Sequence, residues 1–188
     1  MTLNDRSTPL ALLASRRSGK PRDLVAPGPD QAQLATILAV AARTPDHGKL
    51  APWRFVEITD RVAFAALLAA AAVSEATPPD PTKTAQFAYQ APVLVAVIAA
   101  PDRASTIPLW EQELSAGAAC MNLLHAAHAL GFAGGWLTGW AAFSDQVRNA
   151  LGGRDGDRIA GFLFLGTPGG PVVERPRPAL DTIAWAWP

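Results

Sequence analysis

LWEQELSAGAACMNLLHAAHAL, residues 109–130, is the stretch on which the fold turns. A helix brings positions three and four apart onto one face. Beyond the first turn almost every position here is apolar or small: Leu114, Ala116, Gly117, Ala118, Ala119, Met121 and Leu124 leave few polar neighbours. A helix that is apolar on every side is buried on every side. The spacing therefore predicts a central helix over 109–130, closed by Gly131 as a C-terminal glycine. The 188 residues fit one domain, 1–188, long enough to bury such an element.

Outward from this helix, VLVAVI at 93–98 is a continuous apolar run after Pro92, as expected of a strand buried on both faces. Residues 53–59 alternate and carry aromatic and β-branched side chains, so they predict a second strand, with others at 136–138 and 159–165. Further helices are predicted over 9–16, over 62–76, over 83–89 and after Ser144, where Val147 and Leu151 precede Gly152. Asp30 with Gln33 reads as a capping box before Leu34, Ile37, Leu38 and Ala41, and Pro45 stops that helix. The proline-dense break at 77–81 is the expected mobile loop, and 181–187 reads as extended. The sum is an α+β domain with helices on both faces of a sheet. A helix without a solvent face, and a tail carrying Ile183, Trp185 and Trp187, predict that a second copy of the chain covers both.

Composition removes several function classes. Sixteen basic residues balance sixteen acidic ones with no basic stripe, which argues against nucleic-acid binding. No apolar run reaches the roughly 20 residues of a membrane helix. Residues 1–9 are polar and lack the apolar core of a secretory signal. The single cysteine, Cys120, allows no intrachain disulfide and reads as a small core residue. The plain expectation is a cytoplasmic protein.

Familiar motifs are missing. There is no phosphate-binding P-loop, and Gly131-Phe132-Ala133-Gly134-Gly135 lacks the dinucleotide spacing and follows a helix rather than a strand. His125 and His128 lie one helical turn apart, but without nearby carboxylates they read as packing or hydrogen-bonding residues rather than a metal pair. Glu111 and Glu113 suit the positive end of a helix dipole. No nucleophile–base pair stands out from spacing. Two polar clusters remain. Arg16-Arg17-Ser18 ends the first helix; guanidinium forks bind phosphate oxygens in pairs, yet arginines at a helix end are also favoured by the dipole alone. Residues 43–49, RTPDHGK, end another helix just before Pro52-Trp53 and read equally as a surface loop.

Taken together, in order and spacing, these segments resemble the compact branch of the FMN-dependent nitroreductase family. The resemblance covers almost the whole chain. It rests on Arg16-Arg17-Ser18, on residues 43–49 leading to Pro52-Trp53-Arg54-Phe55, on WEQELSAG at 110–117, on GFAGGW at 131–136 and on GFLFLGTP at 161–168. It implies a nitroreductase-like fold with a central mixed sheet flanked by helices, in an intertwined homodimer with an extended C-terminal arm and one FMN at each subunit interface. It implies electron transfer from NADH or NADPH through FMN to a small-molecule acceptor such as a nitroaromatic or quinone, or, as an alternative, a non-catalytic FMN-sequestering dimer. Carried over by position, Arg16, Arg17 and Ser18 are the first FMN-binding motif. Arg43 and His47 are a pair offered from the other subunit. Leu137, Thr138 and Gly139 lie along the flavin ring, and Arg175 and Arg177 fall where relatives keep basic phosphate ligands. Arg16, Arg43 or Lys49 would face the flavin's pyrimidine edge. No general acid or base is required, because the flavin carries the difficult step. Relatives place asparagine and glutamine before the Pro-Trp pair, where this chain has His47, Lys49 and Ala51. It also lacks the long insertion of larger relatives, so the acceptor pocket is expected to be open or closed only by residues 77–81.

Overall fold

Side-chain caps set where the helices begin. Residues 2–187 are described by the computed structural model. Thr8 Oγ1 accepts from Ala11 N at 3.0 Å and opens α1 (Pro9–Ser15). Both bonds of the capping box between Asp30 and Gln33 are made, at 2.8 and 3.0 Å, and open α2 (Gln31–Ala41). Asp60 caps α3 (Arg61–Ala72) and Asp80 caps α4 (Pro81–Tyr89). The long α5 (Leu109–Ala129) follows Pro108, and Ser144 caps α6 (Asp145–Ala150). Each such cap contributes about 1 kcal/mol.

Among the described residues five strands form one sheet: β1 (Leu24–Val25), β2 (Trp53–Glu57), β3 (Val93–Ala99), β4 (Ala133–Leu137) and β5 (Arg158–Pro168). β5 is central, with β3 along one edge and β4 and then β1 along the other; β2 lies outside β3. Within the chain every pairing among the described residues is antiparallel, where a mixed sheet was expected. A parallel neighbour needs a crossover that returns the chain to its starting end. Between β2 and β3 two helices, α3 and α4, run out and back, so the chain enters β3 at the end where it left β2.

Alternation along β5 feeds two cores. Leu163 and Leu165 pack with Val95 and Val97 beneath α2 and α5, against Leu34, Ile37 and Leu123. Phe162 and Phe164 point the other way, with Leu94 and Ala96, beneath Phe64 and Leu68 of α3. Phe87 of α4 meets both phenylalanines edge-on, at 5.3 and 5.2 Å between ring centres. Each fully buried leucine or phenylalanine contributes about 1.5–3 kcal/mol.

Three expectations change. α5 is buried along only part of its circumference: Trp110 and Leu114 are each 62 % exposed, and Ala118 lies on the same face. Among the described residues nothing covers that face, so it is apolar and open. The tail is not uniformly extended. Leu180–Thr182 forms a 3-10 turn, closed where Thr182 Oγ1 donates to Ala179 O at 2.6 Å. β1, with only two residues in a proline-bearing loop, carried no readable alternation. No helix among the described residues is long and apolar enough to cross a membrane.

Candidate functional site

α1 ends at Ser15 and hands the chain directly to Arg16, Arg17 and Ser18, all half-buried. Arg16 Nη1 donates to Ser18 Oγ at 3.1 Å, so the triplet organises itself. Arg17 N–H is held by Asn4 Oδ1 at 2.8 Å, and its guanidinium Nε donates to Val173 O at 2.7 Å. That bond brings in the segment beyond β5. Glu174 lies 4.0 Å from Arg17 Nε and 3.2 Å from Arg177 Nη2, and also accepts from Arg175 N–H at 2.8 Å. Arg177 thus joins the triplet, whereas Arg175 contributes its backbone and keeps an exposed side chain. Burial, and after it the charges of Arg177 and Arg17, hold the Arg16 pKa below the ordinary arginine value; Glu174 opposes them. A cavity of about 340 Å³ opens beside this cluster, lined by Arg17, Ser18, Lys20, Gly169, Val172 and Val173 among others.

The triplet runs onto the free edge of β4. Gly19 N–H donates to Gly134 O at 3.2 Å, and a Cβ at Gly135 would meet Gly19 O at 2.8 Å, so a glycine is needed for this approach. Three residues along the strand, about 10 Å away, the chain leaves the sheet through Leu137, Thr138 and Gly139. Gly139 turns with φ of 68°, a left-handed conformation that favours glycine. Thr138, Gly139 and Trp140 border a second cavity of about 220 Å³ with Pro79, Asp80 and Phe87. The proline-dense loop therefore flanks the end of β4.

Arg43 and His47 stand elsewhere. Thr44, buried, donates to Ala41 O at 2.9 Å and accepts from Asn122 of α5 at 2.7 Å, fixing the end of α2. Gly48 adopts φ of 77°, a left-handed conformation that favours glycine, and packs against the tip of Ile107. His47 Nδ1 lies 3.0 Å from Glu111 Oε2 on the first turn of α5. Arg17, by contrast, is bound to His128 on the last turn of that helix. Glu111 and His128 are 17 residues apart in α5, about 25 Å along its axis. One chain therefore unites Arg16, Arg17, Ser18 and Arg177 with the β4 edge, but leaves His47 at the far end of α5, while Arg43 follows α2 beside the Thr44 that accepts from Asn122 midway along α5.

Several contributors escaped sequence reading. Glu174 and Lys20 sit in residues with no periodic pattern. Glu111 was read as a dipole partner only; its position beside His47 depends on how α2 packs on α5. Cys120 is inert, its thiol pushed up to about 12 by burial.

Comparison with known proteins identifies the family. Residues 13–167 match the model of the Nitroreductase family. The chain is 42 % identical over 164 residues to the protein named "Putative NAD(P)H nitroreductase YdjA" of Escherichia coli (strain K12), covering 85 % of this chain and 87 % of that one. Its fold superposes on a nitroreductase-like family protein from Bacillus cereus with a TM-score of 0.83 at 18 % identity, covering 99 % and 98 % of the two chains. A nitroreductase with bound FMN from Bacteroides fragilis superposes with a TM-score of 0.72 at 21 % identity, covering 95 % and 98 %. A family match across most of the length, the curated relative and the shared fold lead to one conclusion: the chain belongs to the nitroreductase family.

Proposed function

We propose that the chain is an FMN-dependent NAD(P)H oxidoreductase that passes electrons to a small-molecule acceptor, and that it works as a cytoplasmic homodimer. The single observation that carries the reading is the guanidinium cluster at the β4 edge. Arg17 and Arg177 share one carboxylate, Glu174, and beside them Arg16 is held below its ordinary pKa by burial and by its like-charged neighbours. Such a set is short of negative charge, and a phosphate dianion supplies it. Ser18 adds a hydroxyl, and the cavity alongside has room for a phosphate and the start of a polyol chain. The residues present therefore fit FMN.

In this reading Arg16, Arg17, Ser18 and Arg177 bind the phosphate, and Arg175 adds its charge near the site. Leu137, Thr138 and Gly139 offer backbone groups to the ring, and Pro79 and Asp80 restrict the neighbouring space. Arg43 and His47 come from the second copy. The open face of α5 supports this arrangement, since Trp110, Leu114, Ala118, Met121 and His125 form one stripe at helical spacing. Two such stripes packed antiparallel about a two-fold axis exchange ends, so the Arg16 end of one chain faces the His47 end of the other. The bound flavin supplies the hydride and electron chemistry. The protein residues bind it, orient it, and place donors or cations where charge develops.

The test is an anaerobic titration. Purified protein reconstituted with FMN should stay yellow after desalting and bleach on adding NADPH or NADH. Retained flavin that neither nucleotide reduces would favour the sequestering alternative, and colourless protein would remove the flavin reading altogether.

A further inference from the structure

His128 lies on the last turn of α5, 1 % exposed, with both ring nitrogens against backbone oxygens. Nδ1 is 2.7 Å from Leu124 O and Nε2 is 3.2 Å from Arg17 O. The second contact ties the central helix to the middle residue of the phosphate-binding triplet, across 111 positions of sequence. We propose that His128 is the positioning residue of this triplet, holding the Arg17 carbonyl so that Arg16, Arg17 and Ser18 present their donors as one preformed set. The inference rests on the flavin reading given above.

The strength of this hold follows from counting protons. A neutral imidazole has one N–H. Placed on Nδ1, it makes the shorter bond to Leu124 O and turns a lone pair on Arg17 O. Placed on Nε2, it holds Arg17 and leaves Leu124 O facing the lone pair. Only the imidazolium donates to both. Burial opposes that second proton most, then the charge of Arg16 in the triplet and His125 on the same helix, while the two carbonyls favour it. Arg177, Arg17 and Glu174 stand one step further out, acting on Arg16. A phosphate seated at Arg16 offsets that positive charge and so eases the second proton onto His128. By linkage, the proton tightens the phosphate in return.

Two variants separate the ring nitrogens. In His128→Gln the amide nitrogen stands about where Nε2 does and still reaches Arg17 O. In His128→Asn it stands about where Nδ1 does and does not. FMN affinity of the full chain is read by quenching of flavin fluorescence. The glutamine variant should bind within about threefold of wild type at neutral pH and the asparagine variant about tenfold more weakly, the size of one lost hydrogen bond. As pH falls from about 7 to about 5.5, wild type should gain affinity relative to His128→Gln, because the phosphate's own titration is common to both. Equal affinities for the two variants, with slopes matching wild type, would overturn the proposal. Should the asparagine chain not fold, nitrogen NMR of the wild-type ring decides: adding FMN should move His128 toward the doubly protonated form, and an unchanged ring overturns the proposal. Wild type that binds no FMN at all instead refutes the flavin reading beneath it.

Discussion

Arg16 is held below its ordinary pKa by burial first, then by Arg177 and Arg17, and a bound dianion would relieve that shortfall. Arg103, by contrast, is exposed and donates to Gly156 O at 2.8 Å in a connecting loop. Arg16→Ala should therefore lower flavin retention by about 1.5–3 kcal/mol, tenfold or more in affinity, while Arg103→Ala leaves it unchanged. Flavin content after desalting checks this, and equal content in the two variants contradicts the assignment. His128 makes a second prediction, on stability. Its pKa is lowered in the folded chain, chiefly by burial, so below the ordinary histidine value of 6.5 the unfolded chain takes up the proton first. Stability then falls as pH drops through that value and goes on falling until the folded ring is also protonated. Thermal melts of flavin-free protein from about pH 8 to about pH 5.5 should show a steeper loss for wild type than for His128→Gln. Parallel curves would show that the buried ring does not titrate there. At this scale the triplet became a candidate through the family resemblance rather than through its residue types, because arginines at a helix end suit the dipole equally well. Glu174 and His128 were not legible, because each acquires its role only from a partner more than a hundred positions away.

Trp136 and Gly161 show how an element can depend on one missing atom. The indole of Trp136 lies over Gly161 so closely that a Cβ there would fall on Nε1, which donates to Ala160 O at 3.0 Å. Trp136 directly precedes the strand end at Leu137. Gly161→Ala should displace the indole at a cost of about 1–3 kcal/mol, lowering the melting temperature by about 2–4 °C per kcal/mol. A melting temperature equal to wild type would mean that the ring moves aside freely. Elements were the most legible scale. The capping box at Asp30, the apolar run of β3 and the length of α5 all followed from local pattern, because caps and periodicity act within a few residues. The two-residue β1 has no room for a pattern. Strand direction was misjudged because it is decided by the connections, here the paired helices α3 and α4, rather than by any strand's own residues. The open face of α5 could not be told from a buried one, since apolar side chains look alike in sequence whether their own chain or another covers them.

Across the whole molecule His47 and the Arg16 triplet stand at opposite ends of α5, and the proposed dimer brings the two together at each site. Leu114 lies in the middle of the exposed stripe on α5. Leu114→Arg should yield monomers by sedimentation and lose flavin together with the dimer, since a charge at the core of an apolar interface goes unpaired. A sharper test uses two variants whose defects lie in different motifs. A dimer of Arg16→Ala chains has both sites damaged, and so does a dimer of His47→Ala chains. When the two are unfolded together and refolded, a mixed dimer has one site with both defects and one site with neither, provided Arg16 and His47 of each site belong to different chains. Random pairing makes about half the dimers mixed, so about a quarter of all sites should regain wild-type flavin affinity. If both residues of a site came from the same chain, every site in the mixture would carry exactly one defect and none would recover. The recovered fraction thus reads the geometry of the site directly, without reference to turnover, and a fraction indistinguishable from zero would place both residues of each site in a single chain.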